Sequence, residues 1–516
     1  MTQRKNEMNM ISNRNSRMSR LGRFTLSLIK YFGAFAFLLS SGLGIFLYVA
    51  LRGPDVALAE WHLWGMTKWY LVDAHVVFAF AFLTAGVIYW AVHWISQARR
   101  WPRSSPRERW AFVLALLILL FSLRHVLYEH PILIESVRIT QFEATPAADQ
   151  IMLTWSGDPR TTQTIQWRTS PEVQEGFVRY RPAGLNRQEG WSETAAATIL
   201  IKDEYLANDD LNARHALLLE NLDPDTTYSY KVGCGNLWSE EAVFSTAPAQ
   251  EQPFKFVYLG DAQTGLAGWG QLLHNVYDRH PDAAFYVIAG DLVNQGCDRG
   301  DWDAFFAAGE GVFNRRPLVP AIGNHDDCNE EGPRIYLDLF TLPPNGPDSL
   351  PRGHSYSFQY ANAFFVVLDS NLDPETQTAW LDEQLAQATA HWKLAVFHHP
   401  VYSPKSSRDN PRLRREWRPL FDRYGVDLVL LGHDHSYMRT FPMFDDQPVE
   451  STRQGTVYVV SLSGDKYYEQ ETGDYAAVAY ENLSTYQIID VEDNRMIYRA
   501  YDPEGKIVDE LTFEKP

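Results

Sequence analysis

Cysteine is scarce in this chain of 516 residues, which holds only three. Three cysteines cannot staple a fold of this size, so a disulfide-built scaffold is excluded. Sequence repeats and low-complexity stretches are also lacking, and 45% of the residues are hydrophobic against 21% that are charged. This composition is typical of a chain that is folded and globular over most of its length.

Basic charge is lacking over most of the chain. Residues 1–130 contain 15 Lys and Arg against 6 Asp and Glu, whereas the other 386 residues contain 31 against 58, a net charge of −27. A nucleic-acid-binding surface needs a basic face, so we predict no nucleic-acid partner. The basic first part is expected to be a different kind of segment from the acidic remainder.

Long uncharged runs within residues 1–130 indicate a membrane anchor. Each of the first two runs is long enough to cross a hydrocarbon layer of about 30 Å as a helix. Three transmembrane helices are predicted, at about 31–51, 71–95 and 110–128. The third contains Arg124, so an interfacial helix is the alternative for that run.

The distribution of basic residues predicts the topology. They cluster before the first predicted span and between the second and the third, and such segments stay in the cytoplasm. We therefore expect a multi-pass protein of the cell (inner) membrane with a cytoplasmic N-terminus and the lipid bilayer as a partner. Everything after Glu129 is then periplasmic or extracellular.

Residues 136–247 are predicted to form a β-sandwich, because short alternating runs are broken there by turn residues. The runs are 151–155, 164–169, 177–181, 197–201, 216–219 and 228–232. An L-x-P-x-T-x-Y phrase ends at Tyr228, whose hydroxyl is expected to tie a corner between strands. Such a domain either places loops over a neighbouring site or serves as a spacer, and the sequence leaves both open.

The pattern changes after a linker at 247–253. In residues 253–516, buried strand-like runs alternate with helical stretches, which is typical of an α/β fold with a largely parallel sheet. The main runs are 254–259, 284–289, 318–322, 364–368, 394–397 and 426–431.

Polar phrases follow these runs, and ligands bind at the carboxyl ends of strands in an open α/β sheet. Four of the phrases begin with a glycine, which is expected to let the backbone turn sharply. The five phrases are GDAQ (260–263), GDLVN (290–294), GNHD (323–326), HHP (398–400) and GHDH (432–435).

Six side chains from these phrases are expected to meet in one crevice. They are Asp261, Asp291, Asn324, His398, His433 and His435. Two carboxylates, one amide and three imidazoles form an oxygen and nitrogen ligand set without thiolate, which suits zinc, iron or manganese. The set is too large for one tetrahedral ion. It fits two ions that share a carboxylate about 3.5–4 Å apart.

The five phrases in this order resemble the signature of calcineurin-like metallophosphoesterases. Together with the sandwich and the GHDHSYMRT phrase, residues 136–516 resemble purple acid phosphatases. The resemblance implies a metallophosphoesterase-type αββα sandwich preceded by a fibronectin type III-like β-sandwich. It also implies acid-phosphatase-like hydrolysis of small-molecule phosphate esters, with a metal-activated hydroxide as the nucleophile.

The resemblance also implies a role for each matching residue. Asp291 would bridge two divalent or mixed-valence ions of iron, zinc or manganese, and His325 would be the acid that protonates the leaving oxygen. The remaining ligands would divide between a first ion, held by Asp261 and His435, and a second ion, held by Asn324, His398 and His433.

This chain departs from the family at the first ion. Relatives complete that site with a histidine at the position of Gln263 or a tyrosine at the position of Asn294, so either amide, or water, is expected there instead. The tyrosine pairs with ferric iron and gives the family its colour, so we predict that this protein is not purple.

Three further residues or pairs are tentative. Arg408 and Tyr437 are candidate substrate contacts, although a solvated basic face is the alternative for the arginines around position 408. Cys297 and Cys328 follow the second and third phrases, so a disulfide between them is possible outside the cytoplasm. The alternative functions are a phosphodiesterase or pyrophosphatase of the same fold, or a non-catalytic metal-binding sensor.

Overall fold

A computed structural model describes residues 140–516 except 185–189, 204–205 and 329–331, together with a few short pieces before residue 140. The three predicted membrane spans lie outside the described residues, apart from Phe82 and Gly86. Among the residues that are described, none lies in a helix that is both long and apolar enough to cross a membrane.

Nine strands build the first domain, and each of the six predicted runs overlaps one of them. The strands are β1 (Asp149–Thr154), β2 (Gln163–Thr169), β3 (Phe177–Pro182), β4 (Ser192–Ala195), β5 (Ala197–Lys202), β6 (Leu211–Leu219), β7 (Thr227–Cys234), β8 (Leu237–Trp238) and β9 (Ala242–Ser245). One sheet has the order β1-β2-β6-β5, and the other has the order β8-β7-β3-β4 with β9 paired to β7.

The corner predicted at Tyr228 is confirmed. The backbone N–H of Asp223 donates to the Tyr228 hydroxyl over 2.9 Å. The Tyr228 ring is buried and stacks on Phe244, with ring centroids 5.4 Å apart. The hydroxyl therefore fixes the turn before β7, while the ring fills the core between the two sheets.

Two mixed sheets build the second domain. The first consists of β10 (Phe254–Leu259), β11 (Tyr286–Ile288), β12 (Leu318–Pro320), β22 (Tyr486–Val491), β23 (Arg495–Tyr501) and β24 (Ile507–Glu514). The second consists of β13 (Tyr356–Tyr360), β14 (Ala363–Val367), β15 (Trp392–Val396), β16 (Leu428–Leu431), β17 (Tyr437–Thr440), β20 (Val457–Val460) and β21 (Ala476–Tyr480). A small hairpin adds β18 (Met443–Phe444) and β19 (Gln447–Pro448).

Helices connect these strands. They are α1 (Leu266–Arg279), α2 (Arg299–Gly309), α3 (Arg334–Leu339), α4 (Glu375–Gln387), α5 (Pro411–Glu416) and α6 (Arg418–Tyr424), with a 3₁₀ turn at Ser406–Arg408. Helix α2 begins at a good N-cap, because the Asp298 side chain accepts from the Gly300 N–H over 2.8 Å.

The strand order corrects the expectation of one largely parallel sheet. The order is β12-β11-β10-β22-β23-β24 in the first sheet and β13-β14-β15-β16-β20-β17-β21 in the second. Pairing is parallel from β10 to β12 and from β14 to β16 and β20, and antiparallel elsewhere. The parallel runs lie in two sheets because the antiparallel β13-β14 hairpin begins a new sheet after β12.

Aromatic side chains join the two sheets. Phe285 and Phe256, from the first sheet and its edge, stack with ring centroids 5.1 Å apart. Both pack edge-on against Phe365 of the second sheet, at 5.5 Å and 5.4 Å. All three rings are fully buried, so this apolar layer fixes the distance between the two sheets that carry the polar phrases.

The sandwich is tied to helix α2 by a buried ion pair. Arg168 of β2 contacts Asp303 of α2, with Nη1 and Oδ1 2.8 Å apart, and each side chain is 2% exposed. Gln150 and Thr140 also donate to the Asp303 carboxylate. Since α2 follows the second polar phrase directly, the sandwich braces one wall of the crevice.

Replacing Asp303 by Ala is expected to lower the free energy of unfolding by about 1.5–3 kcal/mol, because it removes one charged hydrogen-bond partner of the buried Arg168 guanidinium, which keeps its pairing with Asp149. Thermal unfolding of the full chain, followed by circular dichroism, measures this as a lower midpoint. Asp158→Ala is the matched control, since Asp158 pairs with Arg160 at an exposed site worth at most about 1 kcal/mol. Equal midpoints for the two variants would show that the pair does not hold the domains together.

Candidate metal centre

The polar phrases of the two sheets face each other at one edge. Asp261 follows β10, Asp291 follows β11, and Asn324 follows β12. His398 follows β15 and His433 follows β16 in the other sheet. The structure thus brings residues from both sheets into one crevice, where the single-sheet expectation placed them on one rim.

Three ligand candidates, Asn324, His398 and His433, form what we call the second half-site. The Asn324 Oδ1 atom lies 3.1 Å from His398 Nε2 and 2.9 Å from His433 Nδ1, and the two ring nitrogens are 3.2 Å apart. His398 Nδ1 lies 2.9 Å from the Ala289 carbonyl oxygen, which accepts its proton. With Nδ1 engaged in this way, Nε2 is the His398 nitrogen that faces the crevice.

Asp261, Gln263 and His435 form the first half-site. His435 Nε2 lies 3.5 Å from Asp261 Oδ2, and the Gln263 amide donates to it over 3.1 Å. The other His435 nitrogen, Nδ1, donates to the Lys466 carbonyl over 2.9 Å. This bond gives His435 the tautomer that offers Nε2 as an acceptor, the form that ligates a metal ion.

Asp291 lies between the two half-sites. Its Oδ1 is 3.2 Å from His398 Nε2, and its charge also acts on His435 of the first half-site. Asp261, Asp291 and His398 together offer three ligand atoms within 4.8 Å of one another, and all three residues are buried. The bridging role of Asp291 stays a prediction, which this position supports.

Burial and charge set the protonation of the ligands in the metal-free protein. Burial lowers the pKa of His435 to about 4 and the pKa of His433 well below its usual range, so both rings are neutral. Burial alone would also lower the pKa of His398, but the Asp291 carboxylate outweighs it and raises the value to about 9. Conversely, burial raises the pKa of Asp261, and the negative charge of Asp291 adds to this.

The donor set fits two metal ions. Within the described residues, no hydrogen-bond donor reaches Asp261 Oδ2 or Gln263 Oε1, although both atoms are buried. In the second half-site, Asn324 Oδ1, His398 Nε2 and His433 Nδ1 lie 2.9–3.2 Å from one another. Spacings of this size are those of ligands about 2.0–2.2 Å from one shared ion.

Three of the candidate ligands hold strained backbone conformations. The φ values of Asp291, His433 and His435 are 52°, 75° and 34°. These values are positive, and residues other than glycine rarely adopt a positive φ. Each such residue costs of order 1–3 kcal/mol and persists only where its surroundings enforce it. The fold therefore spends stability to aim these ligands into the crevice.

The glycines before the ligands correct one expectation. Only Gly290 among those four has a φ in the left-handed region. At Gly323 a Cβ would lie 2.0 Å from the Asp291 backbone nitrogen, and at Gly432 it would lie 2.3 Å from Asp261 Oδ1. At these two positions glycine serves close packing of the phrases and not a sharp turn.

His325 lies at the mouth of the crevice. Its backbone N–H donates to Asp291 Oδ1 over 2.9 Å, and its Nδ1 donates to the Asn294 carbonyl over 2.8 Å. The ring is half-buried, beside the exposed Asn324. With Nδ1 engaged, Nε2 is the atom available for proton transfer, which suits the acid role predicted for this residue.

Two residues of the site escaped the sequence reasoning. The buried Asp326 carboxylate accepts from the backbone N–H groups of Leu292 and Gly323, so it ties the second phrase to the third. His399 packs against His433 with ring centroids 4.3 Å apart, and its Nδ1 is 2.9 Å from Ser370 Oγ. Both residues lie inside the polar phrases, and this position could have marked them as candidates for the site.

The two tentative substrate contacts differ in outcome. Arg408 is half-buried beside the site, where its Nε contacts Asp434 Oδ1 at 2.5 Å. Tyr437 is fully buried and its hydroxyl donates to Asp509 Oδ2 over 2.7 Å, so the prediction that it contacts substrate is wrong. Successive strand residues point to opposite faces, and Tyr437 faces the core.

No disulfide joins Cys297 to Cys328 in the structure, which describes both residues. Their side chains are nonetheless neighbours and share a hydrogen bond. This hydrogen bond, together with burial, raises the pKa of the Cys328 thiol. The backbone N–H of Gly296 donates to the His325 carbonyl over 2.7 Å, which holds the two loops together. The disulfide stays a prediction for an oxidising compartment.

Comparison with protein families agrees with this arrangement. Residues 148–246 match the purple acid phosphatase N-terminal domain, and residues 254–437 match the calcineurin-like phosphoesterase domain. The chain contains a calcineurin-like phosphoesterase domain behind a purple acid phosphatase N-terminal domain. All five polar phrases lie inside the matched phosphoesterase region.

Individual relatives are distant. The chain is 28% identical over 338 residues to an uncharacterized protein of Mycobacterium tuberculosis, covering 58% of this chain and 63% of the relative. It is 25% identical over 315 residues to purple acid phosphatase 18 of Arabidopsis thaliana, covering 58% and 67%. It thus spans less than two thirds of the length of the mycobacterial relative.

A solved structure shows the same fold. The purple acid phosphatase from seeds of yellow lupin (Lupinus luteus) superposes with a TM-score of 0.63 at 19% identity, over 71% of this chain and 74% of the lupin chain. The two proteins therefore share their fold over the superposed residues.

Proposed function

We propose that this protein is a metal-dependent phosphoric ester hydrolase of the purple acid phosphatase type, acting on small phosphate esters. The convergence of the two half-sites on the shared Asp291 carboxylate carries this proposal. The names of relatives, such as purple acid phosphatase 18 of Arabidopsis thaliana and acid phosphatase type 7 of Homo sapiens, support it.

The described residues account for the parts that such a reaction needs. When bound, two divalent ions would neutralise phosphate oxygens and lower the pKa of a water toward neutrality, providing a hydroxide nucleophile. Asn324 and His325 stand at the open side of the crevice, which is where substrate enters. His325 Nε2 supplies the proton that the departing alkoxide requires. Arg408, the remaining candidate substrate contact, lies beside the site and is paired there with the buried Asp434 carboxylate.

Metal analysis and a substrate panel on the full chain test the proposal. After loading with Zn²⁺, Mn²⁺ or Fe²⁺, we expect two ions per chain and hydrolysis of p-nitrophenyl phosphate that a chelator abolishes and metal restores. Two bound ions without any hydrolysis would favour the non-catalytic sensor. Faster hydrolysis of bis(p-nitrophenyl) phosphate or pyrophosphate than of monoesters would favour the diesterase or pyrophosphatase.

We also propose that residues 1–130 anchor the enzyme in the cell (inner) membrane, with the catalytic domain on the periplasmic or extracellular side. The uncharged runs and the positions of the basic residues support this orientation. Carbonate extraction of membranes, followed by protease treatment of intact and opened cells, tests it. Release of the protein by carbonate would contradict the anchor. Digestion of residues 140–516 only after the cytoplasm has been opened to the protease would contradict the orientation.

A further inference from the structure

Hydrogen bonding among the described residues accounts for only one end of the Gln263 amide, the Nε2 that donates to His435. The Gln263 side chain is 3% exposed, and among the described residues nothing donates to its Oε1. The neighbouring Asp261 Oδ2 is buried and equally unsatisfied. Buried polar atoms nearly always have a hydrogen-bond partner. Two neighbouring buried acceptor atoms without a donor are therefore well placed to bind a cation.

The amide is at ligand distance from an established acceptor. Gln263 Nε2 lies 3.1 Å from His435 Nε2, which is the acceptor nitrogen of that ring because Nδ1 donates to the Lys466 carbonyl. A half-turn of the amide exchanges its two ends and puts Oε1 in that place. Two ligands of one ion, each about 2.0–2.2 Å from it, are separated by this order of distance.

Asn294, the other amide considered for this site, is engaged differently. Its backbone carbonyl accepts from His325 Nδ1 over 2.8 Å, and no hydrogen bond among the described residues joins its side chain to Asp261 or His435, in contrast to Gln263. Gln263 follows Asp261 by two positions, and backbone N–H groups of both Ala262 and Gln263 donate to the Asp291 carbonyl at 3.0 Å. That anchoring holds the Gln263 side chain beside Asp261.

The charge of the ligand set limits which ion it takes. The set holds two carboxylates, those of Asp261 and Asp291, and its remaining members are neutral amides and imidazoles. An amide oxygen neutralises no charge, whereas a phenolate or a third carboxylate would neutralise one. Two divalent ions are therefore compensated better in this buried pocket than a ferric ion with a divalent partner.

We propose that Gln263 Oε1 is a protein ligand of the first metal ion and that this neutral ligand makes the first half-site selective for a divalent ion. The proposal rests on the two-metal centre of the proposed function. It names the ligand by which this chain differs from its relatives, and the ion class by which it differs from those relatives that have a tyrosine at the position of Asn294. The centre is then homodivalent and colourless.

Metal titration of the full chain tests the role of Gln263 without relying on activity. We expect wild type to bind two Mn²⁺ ions, and Gln263→Met, which keeps the length and removes the amide, to bind one ion normally and the other at least about 100-fold more weakly. Asn294→Ala is the matched control and should keep both ions. Two unchanged affinities in Gln263→Met would overturn the proposal, as would loss of one ion in Asn294→Ala alone.

A second variant protects the test against misfolding. Gln263→Glu keeps the shape and adds a charge, so it should fold, bind both ions and raise retention of Fe³⁺ during gel filtration at least about tenfold over wild type. Equal Fe³⁺ retention, or an intense visible charge-transfer band in iron-loaded wild type, would contradict divalent selectivity. Absence of hydrolysis in wild type with two ions bound would instead refute the proposed function and leave the ligand assignment intact.

Discussion

Replacing Asp291 by Asn is expected to abolish hydrolysis and release both metal ions. The Asp291 carboxylate contacts His398 Nε2 at 3.2 Å and accepts from the His325 backbone N–H at 2.9 Å, so its charge serves both half-sites and the mouth of the crevice. Without this carboxylate, kcat should fall by at least about 10⁴-fold. This loss is smaller than the total rate acceleration of about 10⁶-fold or more that enzymes typically give. Metal content by mass spectrometry and hydrolysis of p-nitrophenyl phosphate measure the two effects.

Asparagine is a cleaner replacement here than alanine. Asp291 has a φ of 52°, a conformation that Asn tolerates and that costs Ala roughly 1–2 kcal/mol. The Asn variant therefore separates loss of charge from backbone strain. Asp282→Asn is the control, because Asp282 is an exposed carboxylate paired with Lys255. Two retained ions and normal turnover in Asp291→Asn would show that this carboxylate does not bridge.

Removing the His325 ring is expected to separate metal binding from proton transfer. Its Nδ1 is held by the Asn294 carbonyl, and its contact with Asp291 is made through the backbone N–H, which survives in an alanine variant. His325→Ala should therefore keep both ions. Turnover of alkyl phosphates should fall by about 10²–10⁴-fold, because a poor leaving group needs the proton, whereas nitrophenyl phosphate should be affected far less.

The comparison of leaving groups decides the role of His325. If alkyl and nitrophenyl phosphates slow by the same factor, His325 binds substrate and is not the acid. His274→Ala is the matched control, since His274 is a half-buried histidine on helix α1 that lies outside the two half-sites. It should leave both rates unchanged.

Several features of the site could be predicted because they depend on local sequence order. Each polar phrase follows a run of buried residues, so its side chains had to lie at a strand end. The tie at Tyr228 was predictable for a similar reason, since it joins residues five positions apart through one turn. Local geometry of this kind needs no knowledge of the distant partners.

Other features depend on partners that are distant in sequence. The role of Tyr437 was predicted wrongly because its hydroxyl pairs with Asp509, which lies 72 positions away. The reason for a glycine at position 432 was missed for the same cause. A close approach to Asp261, which is distant in the chain, leaves no pattern in the amino-acid sequence. Arg168 and Asp303 likewise pair across two domains over 135 positions.

By itself, the sequence determined the ligand chemistry: two carboxylates, amides and imidazoles at the ends of strands, with no thiolate among them. Packing between distant segments set three further features: the candidate ligands come from two sheets, Asp291 stands between the half-sites, and the Oε1 atom of Gln263 is buried with no hydrogen-bond donor among the described residues. The physical reason is that a residue's chemistry is a property of the residue, whereas distance and burial are properties of packing between segments far apart in the chain.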